Sequence, residues 1–274
     1  GKELSYTNIL DADAAWWLIQ EFKKEPFACA ILKHANPCGV AASENSLNDA
    51  FKKALACDSQ SAFGGIVAFN RELDGGTAEA CAKIFLEIIL APGFSKGARD
   101  ILAKKKNLRL LETKETKGPE QLIRSAGGGL LIQDADRTME KPNQWKTAVS
   151  RKPTPEETAA LAFAWKIVKH VKSNAIVFAA EDRTLGIGAG QMSRIDAIKV
   201  ATMKFNSRLM THDSRLVAAS DAFFPFPDNI EAIAQAGATA VIQPGGSIRD
   251  PEVIAEADRR NLAMVFTGVR HFRH

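Results

Sequence analysis

Lys33 and His34 stand side by side at the end of an apolar run, in the stretch Lys33-His34-Ala35-Asn36-Pro37-Cys38-Gly39. An imidazole takes up a proton near neutral pH, and an ammonium stabilises developing negative charge. The six preceding residues, Phe27-Ala28-Cys29-Ala30-Ile31-Leu32, carry no charge. Such a run reads as a strand buried on both faces. Pro37 and Gly39 are expected to turn the backbone just after it. Open α/β sheets bind ligands where strands end. The competing reading is a polar turn that solvates a strand end.

Other stretches could add to such a site. Ser61-Ala62-Phe63-Gly64-Gly65 precedes an apolar strand over 66–69. Its glycines either admit a ligand close to the backbone or form a plain turn. Glu87 opens a buried strand over 87–91, so it is paired with a cation or sits at a site. Lys172-Ser173-Asn174 precedes a strand over 175–179, and a turn at Glu181-Asp182-Arg183 leads to a second strand. The alternating glycines Gly186, Gly188 and Gly190 suggest a dinucleotide loop, but GxGxxG is absent and the context is a hairpin. In Ser220-Asp221-Ala222-Phe223-Phe224-Pro225-Phe226 the phenylalanines either fill a core or form an apolar platform for a flat ligand. The chain closes on Arg270-His271-Phe272-Arg273-His274. Such tails fray, unless the strand over 262–266 carries Arg270 and His274 to a strand-end site.

The elements that position these residues follow from periodicity. A helix is predicted over 11–22, with Trp16, Trp17, Ile19 and Phe22 inward and Asp11 or Asp13 as N-cap. Ser46 caps a helix to about residue 56, with Leu47, Phe51 and Leu55 inward. A helix over 77–84 and strands over 108–111 and 130–133 follow. Thr154-Pro155-Glu156-Glu157 is a cap, a first-turn proline and two acids, and it opens a helix through Leu161, Phe163, Trp165 and Val168. Helices over 191–205 and 230–236 alternate with strands over 238–242 and 262–266. The class is α/β, with three layers and mixed sheets. The polar stretch 134–152 is taken as a boundary, giving halves 1–150 and 151–274. The halves share a rhythm of strand, turn and helix, without a clean sequence repeat.

Composition narrows the function classes. A chain of 274 residues makes one large or two modest domains. The net charge of +4 suits a small anion and argues against nucleic acid. Lys104-Lys105-Lys106 reads as a solvated helix end. Cys29, Cys38, Cys57 and Cys81 form no CxxC pair, which argues against a zinc knuckle and for the reduced thiols of a cytoplasmic protein. No apolar run reaches membrane length and no signal pattern opens the chain. Gly1 to Ser5 already read as the inside of a domain, so the chain is expected to be the C-terminal part of a longer polypeptide.

Six motifs in order resemble the aminoimidazole carboxamide ribonucleotide (AICAR) transformylase domain of the bifunctional purine biosynthesis family. They are the Lys33–Gly39 and Ser61–Gly65 stretches, Lys172-Ser173-Asn174, Gly186 to Gln191, Ser220 to Phe226 and the tail. The resemblance covers essentially the whole chain. It implies two cytidine-deaminase-like subdomains and a homodimer with active sites between subunits. It also implies formyl transfer from 10-formyltetrahydrofolate to the 5-amino group of AICAR, giving FAICAR. On that pattern His34 accepts the proton, together with the substrate's own carboxamide. Lys33 stabilises the oxyanion or protonates the leaving folate nitrogen. Asn174 matches the carboxamide, Gly64 admits the substrate, Glu87 lies near the nucleotide, Phe223 lines it and Arg270 meets its phosphate. Phe224, Pro225, Phe226 and Asp228 border the folate. Ser173, Asp221 and His274 fall near a potassium site of some relatives, and no zinc is implied.

Two departures from the family are expected to matter. Its Arg-Tyr-Gly-x-Asn-Pro-His-Gln segment and its inosine monophosphate cyclohydrolase domain lie upstream of this sequence, and Pro227 replaces a usual arginine. Restoring the upstream segment is expected to strengthen AICAR binding. Two rivals remain. A zinc deaminase needs His-x-Glu and Pro-Cys-x-x-Cys, but Asn36 and Ala41 occupy the wanted positions. A non-catalytic nucleotide- or folate-binding fragment would keep the site for affinity alone.

Overall fold

Helix α1 (Tyr6–Gln20) starts five residues earlier than its apolar stripe suggests, because Ser5 and Asn8 form a capping box. Asp11 and Asp13 are therefore not caps; Asp13 accepts a hydrogen bond from Trp17 Nε1 at 2.9 Å along the helix. The uncharged run after it is β1 (Phe27–Lys33), buried at every interior position. The chain does not turn at Pro37 and Gly39. It turns at His34-Ala35, whose φ angles are 52° and 59°, and returns as β2 (Asn36–Ser43). Two left-handed central residues make a hairpin turn that matches strand twist, normally built from Asn and Gly. Pro37 sits instead at the register shift where β2 bulges past β1, a place that tolerates proline.

The structure, a computed structural model, describes residues 1–114, 118–205 and 215–274. After β2 come α2 (Leu47–Cys57), α3 (Ser59–Ala62), β3 (Gly65–Phe69), α4 (Gly75–Cys81), β4 (Leu86–Ala91), α5 (Lys96–Leu102) and β5 (Arg109–Glu112). A hairpin of β6 (Gln121–Ala126) and β7 (Gly129–Asp134) follows, then β8 (Lys146–Thr147). The remainder is α6 (Pro155–Val168), β9 (Ile176–Ala179), β10 (Thr184–Gly188), α7 (Arg194–Lys204), β11 (Val217–Ser220), α8 (Asp228–Gln235), β12 (Ala240–Gln243), α9 (Asp250–Arg259) and β13 (Ala263–Phe266).

The main strands form two mixed sheets, β2-β1-β3-β4-β5 and β10-β9-β11-β12-β13-β8. Both place their second strand outermost and antiparallel to the first. With the short edge strand β8 set aside, β1 and β9 pair antiparallel with β3 and β11, and β3-β4-β5 and β11-β12-β13 run parallel. The architecture is thus duplicated although the residues are not. Strand direction and burial depend on apolar pattern and connection length, so identity can drift while topology stays. β8 pairs with β13, which joins Lys146 and Thr147 to the second sheet.

Helices cover both faces of each sheet. α1 and α6 lie between the sheets, in one core that takes side chains from both, with Phe22 and Phe163 rings 5.3 Å apart. α2, α4 and α5 cover the outer face of the first sheet; α7, α8 and α9 cover that of the second. Close helix contact explains the strand glycines. A Cβ on Gly39 would lie 1.9 Å from Ala54 O in α2, and one on Gly188 would lie 1.9 Å from Ala197 O in α7. Gly186 and Gly188 therefore serve packing rather than a dinucleotide. The β6–β7 hairpin, of which only the second strand was expected, stands outside these layers with every residue exposed. Among the described residues no helix is long and apolar enough to cross a membrane.

Candidate active site

The left-handed turn places His34 at the exposed tip of the β1–β2 hairpin. Such a conformation costs about 1–3 kcal/mol per non-glycine residue, a cost commonly met at functional sites. Lys33, the last residue of β1, is half buried. Its ammonium donates to Gly64 O at 2.8 Å and Phe63 O at 3.3 Å. Gly64 has φ 67°, and a Cβ there would lie 3.0 Å from Lys33 Nζ. That glycine therefore seats the lysine as well as opening the wall. With two of three ammonium donors engaged, one remains for a ligand.

A pocket of about 480 Å³ opens on one side of this pair, lined among others by Asn8, Asp11, Gly64, Glu87 and Arg109. A smaller one of about 300 Å³ lies on the other, with Asp58, Ser61 and Lys204 on its wall. Glu87 is paired with a cation, Arg109 Nη1 donating to its Oε2 at 2.7 Å, and it lines the larger pocket. Arg109 also donates to Lys2 O and Glu3 O, fastening the first residues beside the pocket. Phe63, in the Ser61–Gly65 stretch, has a neighbour that the sequence did not point to, Phe85. Their rings are 5.3 Å apart and exposed by 65% and 45%, next to Lys33.

Asn174 belongs to a second cluster. Its Nδ2 donates to Gln191 O at 2.8 Å and Met192 O at 3.1 Å, and its Oδ1 accepts from Arg194 Nη2 at 2.9 Å. Both amide donors are thus committed within the chain, so as placed Asn174 offers a carboxamide no N–H. Arg194 is buried and also donates to Ser220 Oγ and Asp221 Oδ1. It was missed, although a cation in the first turn of a helix opposes the macrodipole and signals a fixed partner. Ser173 Oγ and Ala175 N donate to the same Asp221 carboxylate.

That saturation bears on the expected potassium ion. Asp221 is fully buried and already neutralised by Arg194, and His274 is exposed with its ring against Phe272. Among the described residues no group of three or more His, Cys, Asp or Glu side chains is placed to hold a metal ion. The thiols are packing groups: burial pushes Cys38 and Cys57 up to about 12.

The phenylalanine loop divides between the two readings. Phe224 is fully buried in the outer core of the second sheet, which removes it from the folate platform. Phe223 and Pro225 are half buried, and Phe226 is exposed under the Arg249 guanidinium at 5.2 Å. Asp228 is exposed at the start of α8 and accepts from Asn229 Nδ2 at 2.7 Å. The tail does not fray. Ser173 N donates to Arg273 O at 2.9 Å, and Arg273 N to Ser173 Oγ at 3.2 Å. Arg270 is exposed on it. Lys172 N donates to Asn36 Oδ1 at 2.9 Å, which ties this cluster to the hairpin of His34. One chain thus gathers Lys33, His34, Gly64 and Glu87 around one pocket. Asn174, Phe223, Asp228 and Arg270 line neither pocket.

The family described as the AICARFT/IMPCHase bienzyme matches residues 1–204. A bifunctional purine biosynthesis protein PurH from Dinoroseobacter shibae is 54% identical over 284 residues. That match takes in 100% of this chain and 54% of the relative. The chain therefore spans about half the length of the curated relative it matches.

Proposed function

The chain belongs to the AICARFT/IMPCHase bienzyme family, and from that premise we propose that it carries the transformylase chemistry of purine biosynthesis. The formyl group of 10-formyltetrahydrofolate passes to the 5-amino group of AICAR, giving FAICAR. The observation that supports this best is the seating of the Lys33 ammonium on two carbonyls beside an exposed His34, at the edge of a pocket.

The chemistry needs that pair. An arylamine conjugated to a carboxamide is a weak nucleophile and must shed a proton as it attacks. The amine nitrogen bonds to the formyl carbon, and His34 takes the proton, with the carboxamide assisting. The carbonyl oxygen becomes an oxyanion, which the free donor of Lys33 stabilises. Collapse breaks the bond to the folate nitrogen, which leaves with a proton from Lys33 or from the imidazolium. Glu87, held by Arg109, faces the nucleotide, and Arg270 suits its phosphate as a fork of donors. Phe223 lines the nucleotide, and Pro225, Phe226 and Asp228 border the folate. No step passes through potassium or zinc.

The active enzyme is a homodimer with sites between subunits. Two features support this. The expected residues fall into two groups that share no pocket within one chain. In addition, an isolated two-stranded hairpin is at best marginally stable in water. The β6–β7 hairpin exposes Leu122, Ile123, Leu130, Leu131 and Ile132 by 47–65%, a surface suited to a second copy. Four free, buried cysteines suit a cytoplasmic location.

The test is formyl transfer by the chain and by its His34→Ala and Lys33→Met variants, read as tetrahydrofolate absorbance. Loss of a general base lowers kcat by about 10²–10⁴-fold. Variants that still bind both substrates but turn over slowly support the reading. Full turnover in His34→Ala moves the base onto the substrate. No turnover with intact affinity, in wild type and variants alike, makes the chain a binding module.

A further inference from the structure

The last five residues form neither helix nor strand, yet His271 is fully buried between exposed Arg270 and exposed Phe272. Three separate elements hold it. Its ring lies 4.7 Å from that of Trp165 in α6. Its Nδ1 meets Asp136 Oδ2 at 2.6 Å, and its Nε2 faces Glu140 Oε2 at 3.5 Å, both after β7. Its backbone N–H donates to Asp221 O at 3.0 Å, in the loop after β11. Glu140 is fixed in turn by Trp165 Nε1 at 3.0 Å. Two residues on, Arg273 is tied by backbone to Ser173 and by its guanidinium to His170 O at 3.4 Å.

Alternation then sets the display. Side chains along an extended segment point to opposite sides in turn. With 271 and 273 inward, residues 270, 272 and 274 share the outward face. The contacts agree: the Arg270 guanidinium lies 5.5 Å from the Phe272 ring, and Phe272 lies 6.0 Å from His274. A slip of one residue would bury Arg270 and expose His271. Short terminal segments fray unless tied down, and the His271 side chain is the deepest of the ties.

We propose that His271 is a positioning residue that locks the register of the tail and so presents Arg270 to the phosphate of the nucleotide. The inference rests on the transformylase reading both for that nucleotide and for the contact of Arg270 with its phosphate. His271 touches no substrate, and it acts through Arg270.

The experiment compares wild type, His271→Ala, His271→Asn and Asp136→Ala. Asn keeps a donor near the place of Nδ1, and Asp136 is partly exposed, so its loss spares the core. Steady-state constants are measured for AICAR, for its nucleoside without phosphate, and for 10-formyltetrahydrofolate. Hydrogen exchange of residues 270–274 is followed in parallel. Loss of a charge-assisted phosphate contact raises the nucleotide KM by about tenfold or more. The expected pattern is that rise in His271→Ala, with nucleoside and folate constants nearly unchanged, faster exchange of the tail, and recovery in His271→Asn. Asp136→Ala shows the same split, more weakly. Equal losses for nucleotide and nucleoside would overturn the proposal, because a merely structural role predicts them. So would a tail that stays protected without the imidazole. A wild-type chain that neither binds AICAR nor transfers formyl defeats the transformylase reading, and the phosphate role of the tail falls with it.

Discussion

Arg194→Met should be among the most damaging single substitutions outside the reacting groups. Arg194 is 7% exposed and its partner Asp221 fully buried. The guanidinium donates to Asp221 Oδ1, to Ser220 Oγ at 2.8 Å and to Asn174 Oδ1 at 2.9 Å. Met keeps much of the stem volume and removes every donor. Asp221 would then be a buried carboxylate served only by Ser173 Oγ and Ala175 N. Stranding one member of a buried pair costs about 3–5 kcal/mol. At roughly 2–4 °C per kcal/mol for a chain of this size, the melting temperature should drop by about 10 °C. Most of that loss is the penalty of an uncompensated charge. Adding Asp221→Asn to Arg194→Met should therefore restore a large part of it, since the amide carbonyl still accepts from Ala175 N. Urea denaturation of the four-member cycle reads the coupling directly. A single-mutant cost below about 1 kcal/mol, or strictly additive effects, would refute a buried, mutually dependent pair.

Stability should fall with acid in two stages. Burial lowers the pKa of His170 below 6.5 despite the opposing pull of Glu21. The unfolded chain thus binds a proton that the folded chain resists. Stability should decline as pH falls below about 6.5 towards the folded value, and His170→Gln should flatten that slope in denaturation midpoints. Glu21 and Asp136 are opposed by burial, but their bonds to His170, Lys169 and His271 leave both lowered, so their contribution is present at neutral pH and lost below the ordinary carboxylate range. Gly188→Ala should cost about 1–3 kcal/mol, since its Cβ meets backbone that cannot swing aside; an unchanged urea midpoint would contradict the close packing of α7. Ile132→Asp, on the hairpin face shared with Ile123, should shift the chain towards monomer in sedimentation with little change in helix content; an unaltered dimer would clear the hairpin of that role.

Some of the fold was legible because the signals are local. The caps Ser46 and Thr154 start α2 and α6 where their side chains predict, and uncharged runs became the buried strands. The β1–β2 hairpin was not legible. His34-Ala35 lacks the glycine that usually marks such a turn, while Pro37 and Gly39, which usually mark one, lie within β2. The missed Arg194 and the buried Phe224 share one cause. Whether a side chain meets a ligand or its own core depends on groups far away in sequence, and periodicity does not reach them.

By itself the sequence determined the alternation of helix and strand, the apolar faces and the presence of Lys33 and His34 after a buried strand. Those properties depend on neighbours a few residues apart. Only the tertiary structure decided that Lys33 rests on Phe63 O and Gly64 O, that Asn174 is claimed by Arg194, and that His271 holds the tail. Each of these joins residues 20 to 135 positions apart, or about 30 for the lysine. Such contacts form only when packed layers bring distant strand ends together, and no local pattern records which ends will meet.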